Sequence, residues 1–164
     1  MTSEAIGLAG FNELPAAAAE TALLACCSAP GWARAIAAAR PYPSTDALLA
    51  AADAASAALD DAEIDAALAG HPRIGDRPTS AASAREQAGV AGDDVKAALA
   101  AGNRDYEAKF GHIYLVCAAG RGGEELLAVL RARLDNDPST ERQVMRTELG
   151  KINRLRLARL VAAS

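Results

Sequence analysis

Apolar residues recur along this chain at helical spacing rather than in strict alternation, with alanine filling many of the positions between them. Pro15 to Cys27, "PAAAAETALLACC", reads as a helix with proline in its first turn. "GWARAIAAAR" predicts a second helix from Gly31 to Arg40, stopped by Pro41 and Pro43. Ser44 is placed to cap "TDALLAAADAASAAL", with Asp46 in the first turn against the positive end of the helix dipole. Asp60 or Asp61 caps a short helix that ends at Gly70, where a glycine suits a left-handed stop. A loop follows from His71 to about Ala82, carrying Pro72, Gly75 and Pro78, and another helix begins near Ser83. Asp93 to Lys109 and Glu124 to Leu134 are helical by pattern. Asp137-Pro138 opens a last helix reaching about Ala162. The short run Ile113 to Val116 has strand-like content but no matching run elsewhere, so an isolated extended piece is expected rather than a sheet. No repeat and no long linker divides the chain, and the expectation is one all-α domain over residues 1–164, a multi-helix bundle with a long C-terminal helix.

At 164 residues a single domain can bury about 70% of its unfolded surface. Hydrophobic residues make up 51% but aromatics only 4%, so Leu, Ile and Val must fill the gaps between closely packed helices. A net charge of −4 argues against a nucleic-acid partner. No apolar run is long enough for a membrane span, and neither end carries a recognisable address, which points to the cytoplasm. Cys26, Cys27 and Cys117 form no disulfide framework or zinc spacing and read as small buried hydrophobes. Two histidines without paired spacing give no metal site.

The polar residues left over are few. His71 follows the glycine stop and is either a donor to the last helix carbonyls or a catalytic imidazole. Ser83 and Glu86 in "SAREQAG" form an S-x-x-E capping box, which does not exclude a functional role. His112 after Phe110-Gly111 reads as part of a turn. Lys151, Arg154, Arg156 and Arg159 give the last helix a basic second half, a solvated, dipole-matched face on the simplest view.

Taken in order, "HPRIG", "SAREQAG", "YEAKFGHIYLVCAAG" and "KINRLRLARL" resemble the OHCU decarboxylase family, with support from "FNELP" and "LLACCSAPGWARAIAAARPY" upstream. OHCU is 2-oxo-4-hydroxy-4-carboxy-5-ureidoimidazoline, and the family turns it into (S)-allantoin in uric acid degradation. The resemblance implies an all-α bundle, a homodimer in many members, that acts on this small molecule without metal or organic cofactor. It implies His71 as the catalytic histidine, with Glu86 holding the substrate hydroxyl or positioning His71. Arg156 is implied as an anchor for substrate oxygens. Substrate-binding positions follow the same match: Pro72; Ser83, Ala84, Arg85, Glu86 and Gln87; and Tyr114, Leu115, Val116, Cys117 and Ala118, whose backbone meets the ring and ureido groups. Arg73, Ile74, His112 and Ile113 are positions where relatives commonly differ. Two other classes fit the residues alone: a helical interaction module, and a cofactor-free hydrolase of a related ureide.

Overall fold

The structure, a computed structural model, describes residues 5–76 and 81–162. Residues 77–80, with Pro78 of the expected loop, lie outside the described residues, as do the two chain ends. Among the described residues there are nine helices and no strand, so the all-α expectation is borne out. None of the helices is long and apolar enough to cross a membrane. The chain divides into two compact units, residues 1–70 with 150–164 and residues 71–149.

The first unit holds α1 (Gly7–Glu13), α2 (Ala16–Cys26), α3 (Pro30–Ala38), α4 (Thr45–Ala57) and α5 (Asp61–Leu68). It also takes the second half of α9 (Pro138–Leu160). Helix α2 packs on α3 and α3 on α4 around buried Phe11, Leu23, Trp32, Ile36, Leu48 and Ile64. A buried polar node crosses this core. The Trp32 indole donates to Ser56 Oγ at 3.1 Å, and Asn153 Nδ2 donates to the same oxygen at 3.2 Å, fastening α9 to α4.

Two caps follow expectation: Ser44 Oγ accepts from Ala47 N–H at 3.1 Å and Asp60 Oδ1 from Glu63 N–H at 2.8 Å. Other boundaries differ. Helix α1 carries no side-chain cap and no periodic stripe longer than two turns, and the pattern gave no sign of it. Helix α3 begins one residue early, with Pro30 at its first position, and ends at Ala38. Arg40 lies past that end and donates to the carbonyls of Phe11, Leu14 and Ala37. Gly70 follows the cap of α5 but not in the left-handed conformation; an added Cβ there would meet Ser28 Oγ at 2.8 Å. Its smallness, not its backbone freedom, suits the position.

The second unit holds α6 (Ala81–Glu86), α7 (Asp93–Phe110), α8 (Gly123–Arg133) and the first half of α9. Helices α7 and α8 pack around Leu99, Tyr106, Leu126 and Leu130, joined by Ile74, Tyr114 and Val116 from the connecting segments. Gly111 ends α7 at φ 79°, its N–H donating to Glu107 at 2.9 Å, and Asp137 Oδ1 caps α9 by accepting from Thr140 N–H at 2.7 Å.

Candidate active site

The loop that begins at His71 is pinned residue by residue. His71 and Pro72 are half-buried. The Arg73 guanidinium makes a two-pronged bond to Glu107 at 2.8 and 2.9 Å, the planar fork matching the carboxylate. Ile74 enters the core, and its carbonyl accepts from Asn103 Nδ2 at 3.0 Å. Gly75 then turns at φ 93°, a conformation open to glycine, and its N–H donates to Gln87 Oε1 at 3.0 Å. Each letter after the proline in "HPRIG" therefore fastens the loop, and the last ties it to the end of α6.

Helix α6 presents Ser83 and Glu86 on its buried side and leaves Ala84 and Arg85 exposed, with Gln87 half-buried. Two residues three apart share a helix face, so the buried pair is what the S-x-x-E spacing delivers. Ser83 is not the N-cap expected there. The helix begins at Ala81, so Ser83 lies inside it, and its carbonyl accepts from Gln87 N–H at 3.0 Å. Just beyond, Gly89 runs against the 121–123 backbone. A Cβ on Gly89 would stand 2.3 Å from the Arg121 carbonyl oxygen, and Gly123 N–H donates to Gly89 at 3.3 Å.

The extended stretch from Tyr114 to Ala118 is buried except for half-buried Cys117. Tyr114 gives its hydroxyl to the Leu126 carbonyl at 2.9 Å, so its ring belongs to the core. Arg133 Nη1 donates to the Leu115 carbonyl at 2.7 Å, and Cys117 N–H donates to Glu148 Oε1 at 3.1 Å. Burial pushes the Cys117 thiol up, the neighbouring Ala119 amide opposes this, and the carboxylates of Glu148 and Glu86 add to it. The thiol therefore stays protonated at neutral pH. His112 sits edge-on to Tyr106 and stacks on Phe110, with Nδ1 3.0 Å from the Ile113 carbonyl oxygen, a position in the turn as expected.

In the first unit, α9 carries half-buried Arg156, whose Nη1 donates to the Cys26 carbonyl at 3.2 Å. Beside it the buried Cys27 thiol is pushed up to about 11 by desolvation, opposed by Asn153, the Ala29 amide and the Arg156 charge. Cys26 and Cys27 are buried and outside any disulfide among the described residues, in keeping with a packing role. Arg154, by contrast, pairs with Asp53 at 2.6 Å in the open. The second unit therefore gathers the His71 loop, Ser83, Glu86, Gln87 and the 114–118 stretch, while Arg156 belongs to the first.

Sequence reasoning passed over Glu148. The signal was present: Glu141, Met145, Glu148 and Ile152 fall on one α9 face at spacings of four, three and four, so two acids lie on an apolar stripe.

The OHCU decarboxylase family model matches residues 12–158. The chain belongs to the OHCU decarboxylase family. "Uric acid degradation bifunctional protein TTL" of Arabidopsis thaliana is 30% identical over 145 residues, which cover 82% of this chain and 45% of that protein. "2-oxo-4-hydroxy-4-carboxy-5-ureidoimidazoline decarboxylase" of Amia calva is 39% identical over 59 residues, 36% of this chain and 34% of that one. The chain thus spans less than half the length of the curated relatives it matches. Among solved structures, an OHCU decarboxylase crystallised in the presence of (S)-allantoin is similar with a TM-score of 0.76 at 27% identity. That match covers 85% of this chain and 96% of the other. An (S)-allantoin synthase structure shares the fold, with a TM-score of 0.73 at 18% identity over 96% of this chain and 55% of that one. In this member of the OHCU decarboxylase family, the matched range spans the stretch from His71 to Arg156.

Proposed function

We propose that the chain decarboxylates OHCU to (S)-allantoin in uric acid degradation. The observation that carries the reading is the family match over residues 12–158, which contains the site positions in their expected order. The substrate's C4 bears a hydroxyl and a carboxylate and adjoins a C5=N bond. As the bond from C4 to the carboxylate breaks, its electron pair forms C4=C5, and the C5=N π pair moves to nitrogen, which takes a proton. CO2 leaves. The enol then gives up its hydroxyl proton, C4 becomes a carbonyl, and C5 is protonated on one face. The ring is its own electron sink, so the protein has to orient the carboxylate and manage protons.

His71 delivers the C5 proton, an imidazole being available in both forms near neutral pH. Glu86, buried on α6, holds the C4 hydroxyl or orients His71. Arg156 anchors substrate oxygens through its fork of donors. Pro72, Ser83, Gln87 and the 114–118 backbone line the substrate. Since Gln87 Oε1 is committed to Gly75, its contact falls to the amide nitrogen. Exposed Ala84 and Arg85 contribute through the backbone. The working form in this reading is a cytoplasmic homodimer acting without metal or organic cofactor.

Uricase and the following hydrolase can generate OHCU in place, with CO2 release and circular dichroism of the product as the readouts. CO2 with optically active allantoin is expected. Ring opening without CO2 would mean a ureide hydrolase, and neither would mean a binding module. His71→Asn should fold as the parent does and lose about 10²–10⁴-fold in turnover. A folded variant with parental turnover would remove His71 from the reaction.

A further inference from the structure

An extended segment normally has its N–H and C=O groups satisfied by a neighbouring strand. Residues 113–118 have no such neighbour among the described residues, and charged side chains take its place. Arg133 Nη1 holds the Leu115 carbonyl at 2.7 Å, and Glu148 Oε1 holds the Cys117 N–H at 3.1 Å. The backbone N–H of Arg121 closes on the Ala118 carbonyl at 3.0 Å. The two side-chain clamps are built differently. Arg133 is locked in a buried knot with Glu141, which also accepts from Tyr106 at 2.5 Å and Asn136 at 3.0 Å. Removing it would leave a buried carboxylate without its counter-ion and endanger the fold. Glu148 is also buried, but it grips the peptide of Cys117, the one residue from Tyr114 to Ala118 whose side chain is only half-buried.

We infer that Glu148 is a positioning residue, whose carboxylate fixes the peptide of Cys117 and thereby sets the shape of the backbone that meets the substrate. This rests on the reading of 114–118 as a substrate-binding stretch. The role requires reach and an acceptor oxygen, not a charge. Glu148→Gln keeps both; Glu148→Asp keeps the charge but falls one methylene short.

The test pairs kcat and KM on OHCU with amide hydrogen exchange at Cys117, read by NMR on the full chain. Glu148→Gln should keep a slow Cys117 amide and lose only a few fold in kcat/KM. Glu148→Asp should free that amide and lose on the order of 100-fold, more in kcat than in KM, because a displaced peptide still binds the ring but misorients it. A Gln variant worse than the Asp variant would overturn the proposal by making charge the requirement. So would an Asp variant with a freed amide and full turnover, or one in which the amide stays slow. If Glu148→Asp does not fold, the parent protein decides: a Cys117 amide that exchanges as fast as an exposed one means there is no clamp. Parent protein that releases no CO2 from OHCU defeats the decarboxylase reading instead, a result separate from the exchange rates.

Discussion

Arg154 and Arg156 stand two residues apart on α9, about 200° around the helix, and meet different partners. Arg154 pairs with Asp53 where both are about half exposed, an arrangement worth at most about 1 kcal/mol. Arg156 is half-buried and directs one nitrogen at the Cys26 carbonyl, a contact that holds the plane of its guanidinium. Arg154→Ala should therefore leave turnover near the parent's. Arg156→Lys should fall by about 10–100-fold, close to Arg156→Ala, because an ammonium cannot reproduce a planar two-pronged contact. Steady-state rates on the three variants check this, and equal rates would strike Arg156 from the site. At this scale the sequence singles out candidates by rarity or clustering, as with His71, one of two histidines, or the arginines of "RLRL". It is not readable where a residue's role is set by contacts distant in sequence. The Glu107 partner of Arg73 and the Glu148 partner of Cys117 lie 34 and 31 residues away. No local spacing encodes either.

Among the elements, α6 shows how a short helix is kept in place by what surrounds it. Six residues make too short a helix to stand alone in water. Two contacts hold its far end: Gln87 to Gly75, and Gly89 against the Arg121 carbonyl. Gly89→Ala should thus cost about 1–3 kcal/mol, since the clash at 2.3 Å is with backbone that cannot rotate away. It should also depress turnover by shifting Glu86. Gly70→Ala should cost less, because the atom it would meet is the rotatable Ser28 hydroxyl. Urea unfolding of the two variants compares them directly, and equal midpoints would refute the argument. Caps made by side chains, Ser44, Asp60 and Asp137, were legible because the bond spans three residues. The inference failed at Ser83, where the same S-x-x-E spacing serves a buried helix face instead of a terminus. It also missed α1, which has no side-chain cap.

For the molecule as a whole, low aromatic content concentrates the tyrosines in the interior. All three, Tyr42, Tyr106 and Tyr114, are buried, as is Cys27, and each titrates above its usual range. For Tyr106 the cause is burial first and then its bond to the Glu141 carboxylate, against the opposing Arg133 charge. For Tyr114 and Tyr42 it is burial, opposed by Arg133 and Arg40 respectively. The folded protein therefore keeps protons that the unfolded chain gives up once pH passes the ordinary thiol and phenol values of 9.0 and 10.0. Above those values the unfolded state binds fewer protons, so stability falls as pH rises, by about 1.4 kcal/mol per pH unit for each group in its window. The Cys27 share is complete near its folded value of about 11, whereas the shares of Tyr106 and Tyr114 continue to grow. Cys27 and Tyr42 lie in the first unit and Tyr106 and Tyr114 in the second, so both units lose stability over the same alkaline range. Thermal unfolding followed from neutral pH upward should show no contribution from these groups until about pH 9 and a steep loss beyond it. Tyrosinate absorbance should rise in the same step as the loss of helical circular dichroism. A smooth phenol titration centred near pH 10, with the helices intact, would show that the tyrosines are not held as the packing requires.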